Sequence, residues 1–445
     1  MADPVRLTGD GFWIEVVHGG TPAREGVRRG ACRKSVTAGI MQRAARRHAA
    51  GDVDLRGAGR VGDYRCRVLD DAGALVYALP FNSLFAEWET TTEAETAARE
   101  FTEPLLMPEA TGPLRVVLER RAGTGAFATL GEIRVDPADL EPAQAYPERE
   151  VRLLSAAPPS DDRVHLLFVA EGYAEGEAGK FFDACRGLSD LLFGVEPYRG
   201  SAHQFDVRAA FAPSADSGIS DPNGAGLRRT IVGATYGAFG LDRYVLPFDD
   251  AGIARIVDGV PCDTLVVVCN SEKYGGGGVF NRYAVVAGHN PNLRYLLVHE
   301  FGHSFAGLAD EYYTAAVPYA NMGALAEPWE PNATAMLDGK PKWSRLVAPD
   351  MPVPSPWSKE VFEGMSGGAE TPAERAARAE RQANLLASEA LRGKVGAFEG
   401  AMYRSAGMYR PEVQCLMFNQ GSDGFCAVCR EAIQARIDEL AGGKR

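Results

Sequence analysis

Residues 295–313 read YLLVHEFGHSFAGLADEYY, and this stretch decides how the rest of the chain is interpreted. His299, Glu300 and His303 form the pattern H-E-x-x-H directly after an apolar run. On an α-helix, residues four apart lie on one face, so both imidazoles can reach one metal ion. Glu300 then lies beside that ion, where a general base has to be. The stretch predicts a buried helix with a catalytic zinc ion, the alternative being a helix with two unrelated histidines.

Two acidic residues follow this helix and can supply the third ligand that catalytic zinc requires. Gly307 predicts the end of the helix. The metzincin pattern H-E-x-x-H-x-x-G-x-x-H fails, because Ala306 and Ala309 occupy the positions of its glycine and last histidine. A shift of one residue keeps the spacing from Gly307 to Asp310. We expect Asp310 to be the third ligand, and Glu311 to be either the alternative ligand or a group that orients a histidine.

Several stretches resemble, in the same order, the IgA-specific zinc metallopeptidase family of bacteria. They are HEFGHSFAGLADEYY at 299–313, LLFVAEGYAEGEAGKFF at 166–182, FAPSADSGISD at 211–221, ATYGAFG at 234–240, VCNSEKYGGGG at 268–278, YRPEVQCLM at 409–417 and FCAVC at 425–429. The resemblance extends from about residue 151 to the C-terminus, with a less distinctive N-terminal part. It implies a zinc endopeptidase with one catalytic Zn²⁺ and a metzincin-like catalytic domain acting on protein or peptide substrates. It does not imply that IgA is the substrate.

The composition is typical of a globular chain, with 46% apolar and 24% charged residues among 445. The net charge of −12 disfavours nucleic acid and anionic membranes as main partners. No apolar run approaches the roughly 18 residues needed to span a membrane. The first residues lack an apolar signal core, so we expect either a cytoplasmic protein or one whose leader is absent from this chain. The family resemblance implies export.

The pattern of apolar residues changes near residue 148. Before it, short extended segments and turns predict a β-sandwich-like domain over residues 1–148, which ends in a proline-rich linker at about 136–148. After it, strands alternate with helices. This predicts an α+β or α/β catalytic domain over residues 149–445, with a mixed sheet and an active-site helix. The glycines at 275–278 indicate a mobile loop beside the cleft, one that lets a peptide approach and pair with an edge strand, with a plain flexible linker as the alternative.

The C-terminal stretch carries further candidate residues. Met417 resembles the methionine that lies in a turn below the metal in metzincins, although ordinary core packing explains a methionine equally well. Tyr312, Tyr313 and Tyr409 are candidate hydrogen-bond donors to the oxyanion. Cys415, Cys426 and Cys429 supply three thiols without an evident fourth ligand. We therefore expect a disulfide or buried thiols there, rather than a structural zinc site.

Two other functions compete with the zinc endopeptidase. Residues 364–368 match G-x-S-x-G, which would make Ser366 the nucleophile of a serine hydrolase if a strand preceded it and a helix followed directly. A non-catalytic protein-binding module on a protease fold is the third alternative. The presence of Glu300 disfavours it, because a module without catalysis has no need of a general base.

Overall fold

A computed structural model describes residues 7–21, 23–35, 61–123, 125–143, 146, 148–313, 324–365 and 371–442. This part of the chain forms an antiparallel N-terminal region, a mixed sheet with helices on both faces, and a C-terminal region beside the sheet. None of its helices is long and apolar enough to cross a membrane. The architecture is therefore of the mixed α and β class.

The N-terminal region consists of two antiparallel sheets. The first has the order β2-β1-β5, formed by β1 (Leu7–Thr21), β2 (Arg24–Ser35) and β5 (Arg99–Ala110). The second has the order β4-β3-β6-β7, formed by β3 (Tyr64–Asp70), β4 (Leu75–Phe81), β6 (Leu114–Arg121) and β7 (Phe127–Val135). A short helix, α1 (Leu84–Glu89), connects β4 towards β5.

Alternate residues of these strands point into one shared core. Tyr64, Cys66 and Val68 of β3 are fully buried, and Phe12 and Ile14 of β1 meet them from the other sheet. Successive side chains of a strand point to opposite faces, so Arg65 and Arg67 between them lie on the other face and are only partly buried. The two sheets thus pack as a sandwich.

The stretch predicted as a proline-rich linker is partly attached to this sandwich. Glu141 pairs with β2 through two backbone hydrogen bonds: Lys34 N–H donates to Glu141 O (2.8 Å), and Glu141 N–H donates to Cys32 O (2.9 Å). Leu140 is buried beside them. Pro137–Asp139 forms a short 3-10 helix, so this part of the segment is ordered against the sandwich.

The second part of the chain is built on a six-stranded mixed sheet of order β12-β13-β11-β9-β10-β8. Its strands are β8 (Glu150–Leu153), β9 (Val164–Glu171), β10 (Phe205–Phe211), β11 (Thr264–Cys269), β12 (Gly276–Val279) and β13 (Tyr283–Ala287). The four central strands are parallel, and the edge strands β8 and β12 are antiparallel to their neighbours. Both faces of the central strands are buried, as is usual for parallel strands.

Six further helices follow the sandwich in the described residues. They are α2 (Ala178–Leu192), α3 (Asp250–Val257), α4 (Leu293–Ala306), α5 (Lys359–Gly364), α6 (Pro372–Ser388) and α7 (Ala427–Leu440). A hairpin of β14 (Phe398–Ala401) and β15 (Arg404–Arg410) precedes α7. Leu166 and Phe168 of β9 pack in the same core as α2, α4 and α7, whereas Leu167 and Val169 face α3.

The sandwich and the mixed sheet share the core on the α3 side. Phe85 and Trp88 of α1 belong to the same buried cluster as Tyr283 of β13. The rings of Phe101 and Phe239 meet edge to face across this boundary, with centroids 6.2 Å apart. The N-terminal region is thereby held against the half of the chain that carries the metal motif.

The glycine-rich stretch does not form the flexible loop that the sequence predicted. Gly276–Val279 forms the edge strand β12, which pairs with β13, and Tyr244 forms a further bridge to Gly276. A Cβ atom on Gly278 would lie 2.4 Å from the backbone oxygen of Glu300 and 2.8 Å from Cβ of His303. Gly276 and Gly278 leave no room for a side chain because α4 lies directly against the strand, and Gly277 is crowded by Tyr244 and Leu246 instead.

Candidate active site

Helix α4 holds the motif in the interior of the molecule. Leu296, Leu297 and Phe301 are buried, so the helix is embedded on several faces. It ends where the sequence predicted: Gly307 has a left-handed φ of 61°, and its N–H donates to His303 O (3.0 Å). This cap reverses the chain and brings the following residues back to the histidines.

His299, His303 and Asp310 are brought together at one point. The two Nε2 atoms lie 3.1 Å apart, and Oδ1 of Asp310 lies 3.1 Å from Nε2 of His299 and 3.2 Å from Nε2 of His303. Ligand atoms on a tetrahedron with zinc–nitrogen bonds of about 2.05 Å are about 3.3 Å apart. The three atoms are therefore spaced as ligands of one ion, and they form a group with metal-binding geometry.

The other nitrogen of each imidazole contacts a backbone carbonyl. Nδ1 of His299 lies 3.2 Å from Leu416 O, and Nδ1 of His303 lies 2.6 Å from Leu308 O. A carbonyl oxygen accepts only, so these contacts assign the proton of each ring to Nδ1 and leave the Nε2 lone pair for a metal. The residues present thus fit the zinc ion that the sequence predicted.

His303 and Asp310 shift each other's pKa through their charges. Burial lowers the pKa of His303, but the nearby Asp310 charge raises it to about 9. Burial likewise raises the pKa of Asp310, and the charge of His303 with hydrogen bonds from both imidazoles holds it well below its usual range. Without a cation, the group keeps a proton near neutral pH, which a metal ion has to displace.

Glu300 lines the cleft beside the two histidines. Burial raises the pKa of its carboxyl group, and the two imidazoles counteract that shift. A carboxyl group with a raised pKa accepts a proton more readily than an exposed glutamate does. Strand β12 lies close to Glu300 and restricts its side chain, since a Cβ on Gly276 would lie 3.1 Å from Cγ of Glu300.

A cleft of about 1640 Å³ contains this group and extends between the two halves of the chain. Asp63, Asn82 and Arg121 of the N-terminal region form part of its wall. Trp329 connects the two sides, because its indole N–H donates to Oδ1 of Asp63 (3.0 Å). The volume exceeds the roughly 300–1,000 Å³ of small-molecule pockets and is sufficient for a polypeptide segment.

Comparison with protein families identifies both parts of the chain. The sequence profile described as IgA Peptidase M64 matches residues 151–437, and the profile described as Peptidase M64 N-terminus matches residues 41–130. The chain belongs to the M64 peptidase family. Comparison with curated proteins found no match. The family assigns the chain to the peptidases, which are hydrolases acting on proteins, and the cluster around α4 could hold a metal ion of the kind a metallopeptidase requires.

Glu311 lies away from the histidines, although the sequence made it an alternative ligand. Its Oε1 lies 3.3 Å from Sγ of Cys429 and 3.8 Å from Sγ of Cys426. Nδ2 of Asn332 donates to the same oxygen (3.0 Å). The sequence offered no fourth ligand beside the three cysteines. The structure places the Glu311 carboxylate there.

Met417 lies directly beneath α4. A Cβ atom on Gly302 would be 3.1 Å from its sulfur, and the methionine is fully buried. Its carbonyl oxygen accepts a hydrogen bond from Glu311 N–H (2.9 Å), and the preceding Leu416 accepts from His299. The turn at 415–418 therefore supports both the helix and the segment that carries Asp310.

The three predicted tyrosines separate in the structure. Tyr312 lines the cleft, and its ring lies nearly parallel to that of His299 with centroids 6.1 Å apart. Tyr313 is buried against Gly400, and Tyr409 pairs with Thr334 through its backbone; neither of these tyrosines lines the cleft.

The sequence analysis missed Tyr403, whose hydroxyl donates to Oδ2 of Asp310. Tyr274 and Tyr295 also line the cleft and were not predicted. Burial raises the pKa of Tyr274 to about 12, so its hydroxyl stays protonated at neutral pH. No local pattern marks Tyr403, which precedes Arg404 in an ordinary hairpin and lies 93 residues from its partner.

Proposed function

We propose that the protein is a zinc-dependent endopeptidase with a metzincin-like catalytic domain. His299, His303 and Asp310 hold the ion, and Glu300 is the general base. The observation that carries this proposal is the triangle of two Nε2 atoms and one carboxylate oxygen with sides of 3.1–3.2 Å. Membership of a peptidase family supports the same reaction class.

The chain supplies the groups that peptide hydrolysis needs. A zinc ion held here would lower the pKa of water to about 7 and polarise the scissile carbonyl. Glu300 accepts the proton of the attacking water and transfers it to the leaving amine. Tyr312 lines the cleft beside His299 and can donate its hydroxyl proton to the oxyanion. Asp310 is held by Tyr403, so the carboxylate keeps its direction towards the histidines.

The size of the cleft supports cleavage within a polypeptide rather than release of single residues. Its walls come from the N-terminal sandwich, the edge of the mixed sheet and the C-terminal hairpin, so a chain can extend past the ligand triangle. The Met417 turn beneath α4 supports the metzincin-like assignment. The substrate class is therefore protein, with immunoglobulins as one candidate among folded proteins.

Cleavage of a panel of folded and denatured proteins, immunoglobulins included, tests this proposal by mass spectrometry of the fragments. Glu300→Ala is expected to keep its zinc and to cleave at least about 100-fold more slowly than the wild type, because the general base is lost. Zinc content measured on the same two preparations shows that the site itself is intact. Equal cleavage by both proteins would contradict the proposed role of Glu300.

The serine-hydrolase alternative receives no support from the described residues. Ser366 itself lies outside them, but Lys359–Gly364 directly before it forms helix α5. A nucleophile elbow instead follows a strand. Labelling of Ser366 by a serine-hydrolase probe, together with no cleavage by the zinc-loaded protein, would favour this alternative. A zinc-loaded protein that cleaves nothing and leaves Ser366 unlabelled would favour the non-catalytic binding module.

A further inference from the structure

Three cysteines and one glutamate form a second cluster below the catalytic group. Glu311 follows α4, Cys415 follows β15, and Cys426 and Cys429 lie at the start of α7. All four residues are buried, with exposed fractions of 0–2%. One ligand atom from each lies within 4.8 Å of those of the others. We refer to these four residues as the thiol cluster.

The distances in the thiol cluster match those of a mononuclear tetrahedral site. Sγ of Cys415 lies 3.8 Å from Sγ of Cys429, and Glu311 Oε1 lies 3.3 Å from Sγ of Cys429 and 3.8 Å from Sγ of Cys426. With zinc–sulfur bonds of about 2.3 Å and zinc–oxygen bonds of about 2.1 Å, tetrahedral geometry gives about 3.8 Å between sulfurs and about 3.6 Å between sulfur and oxygen. One ion therefore fits between the four side chains.

Backbone N–H groups point at two of the sulfur atoms. Cys415 Sγ accepts from Cys426 N–H (3.3 Å) and Met417 N–H (3.5 Å), and Cys426 Sγ accepts from Cys429 N–H (3.4 Å). Cys426 also caps the N-terminus of α7, where the helix dipole favours negative charge. Such donors stabilise thiolates, which are the form of cysteine that binds metals.

The carboxylate of Glu311 is an independent sign of a missing cation. It is completely buried, and Oε2 has no hydrogen-bond partner among the described residues. Arg410 is buried nearby, but its Nη1 donates to the carbonyls of Glu399 and Gly400, and it forms no ion pair with Glu311 in the described part of the chain. The charge of Arg410 acts on Glu311 without an ion pair, and a buried carboxylate that forms no ion pair is costly, so an ion among the sulfurs would compensate it.

We propose that Glu311, Cys415, Cys426 and Cys429 bind a second zinc ion, which is structural rather than catalytic. Thiolates with a single carboxylate in tetrahedral arrangement favour zinc over magnesium or calcium. Four protein ligands leave no position open for water or substrate, as in structural zinc sites. This site is separate from the ligand triangle of α4 and does not depend on the peptidase proposal.

The second ion would join the three segments that form the floor of the catalytic group. Glu311 directly follows Asp310, and its N–H donates to Met417 O (2.9 Å). Leu416, between Cys415 and Met417, accepts from Nδ1 of His299 (3.2 Å). Holding Glu311 to Cys415 therefore fixes the positions of the Asp310 backbone and of the carbonyl that orients His299.

Metal content of the full chain tests the proposal. Protein purified with zinc should contain about two equivalents, and the His299→Ala/His303→Ala double variant should retain about one. Further substitution with Cys426→Ser and Cys429→Ser should remove the remaining zinc. Cys185→Ser is the matched control, because Cys185 is also fully buried but lies in α2, outside the thiol cluster, and its loss should leave both ions bound.

Cobalt substitution keeps the test decisive if the cysteine variants do not fold. The histidine double variant retains every cysteine, and its cobalt form should show a sulfur-to-metal charge-transfer band, which ligands of nitrogen and oxygen alone do not give. Absence of that band in folded protein would overturn the proposal. So would a disulfide between Cys415 and Cys426 or Cys429, detected by counting thiols before and after reduction. A wild type that contains only one equivalent of zinc, all of which the histidine double variant retains, would instead count against the catalytic site.

Discussion

Asp310 and Glu311 are consecutive residues whose carboxylates lie in two different clusters. Oδ1 of Asp310 is 3.1 Å from Nε2 of His299, whereas Oε1 of Glu311 is 3.3 Å from Sγ of Cys429. The segment after Gly307 is neither helix nor strand, which allows neighbouring side chains to point in different directions. One short segment thus contributes to the catalytic group and to the thiol cluster beneath it.

Exchange of each carboxylate for alanine should therefore have different effects. Asp310→Ala is expected to weaken zinc binding at the α4 site by more than about 100-fold, since loss of a mere supporting partner already costs 10–100-fold. Glu311→Ala should mainly lower the free energy of unfolding, because it removes one ligand of the proposed structural zinc ion while the α4 site keeps its own ligands. Chelator competition and chemical denaturation measure the two effects. Comparable zinc affinity in Asp310→Ala and the wild type would remove Asp310 from the ligand set.

Tyr403 should affect metal affinity without touching the ion. Its hydroxyl donates to Oδ2 of Asp310, and the rest of its ring packs edge to face against Tyr312. Tyr403→Phe keeps the ring and removes this donor, so zinc affinity should fall about 10–100-fold. Tyr409→Phe is the control, since Tyr409 does not line the cleft. Equal zinc affinity for the two variants in chelator competition would argue against the support that Tyr403 gives to Asp310.

Those parts of the site that lie within one helical turn were predictable from sequence. His299 and His303 share a face because the helix repeat places them there, and Gly307 ends the helix for a local steric reason. The positions of β9 and β11 were predictable as well, since nearly continuous apolar runs indicate buried parallel strands. The prediction of mixed α and β structure is accordingly confirmed.

Contacts between distant segments were not predictable. Glu311 meets Cys426 across 115 residues and Tyr403 meets Asp310 across 93, and no spacing rule relates such positions. The sequence analysis found three thiols but not their fourth partner for this reason. The glycines of β12 were interpreted as a loop, because the close approach of α4 that requires them is a tertiary contact.

Gly278 should tolerate no side chain. A Cβ added at this position would lie 2.4 Å from Glu300 O, so Gly278→Ala has to move β12 away from α4. We expect the free energy of unfolding to fall by about 1–3 kcal/mol, as for other overpacked sites, and the cleavage rate to fall as Glu300 moves. Gly187→Ala is the matched control: Gly187 lies in α2 with nothing within 4 Å of the added atom, so stability should rise by about 0.5–1 kcal/mol. If Gly278→Ala left the free energy of unfolding unchanged, α4 and β12 would be able to move apart without cost.

His18 should make the stability of the N-terminal sandwich depend on pH. It is 1% exposed, with Nδ1 2.9 Å from Oε2 of Glu103 and Nε2 paired with Glu25. Burial lowers the pKa of His18, but the two carboxylates raise it above its ordinary value of 6.5. Burial raises the pKa values of Glu25 and Glu103, and their hydrogen bonds and charge pairing hold both below the ordinary 4.5. Removing one partner of a buried pair costs about 3–5 kcal/mol, and His18→Ala should lose stability on that scale.

The sign of the pH dependence follows from these directions. The contribution of charged His18 is fully present below pH 6.5 and is lost as the pH rises through its raised folded-state pKa. The contribution of Glu25 and Glu103 is present above pH 4.5 and is lost as the pH falls through their lowered folded-state values. The stability difference between wild type and His18→Ala should therefore be largest between pH 4.5 and 6.5 and should shrink at higher pH. Denaturation curves across this range measure it, with His203→Ala as the control because His203 is exposed. A difference that grows above pH 6.5 would mean that His18 is buried as the neutral imidazole.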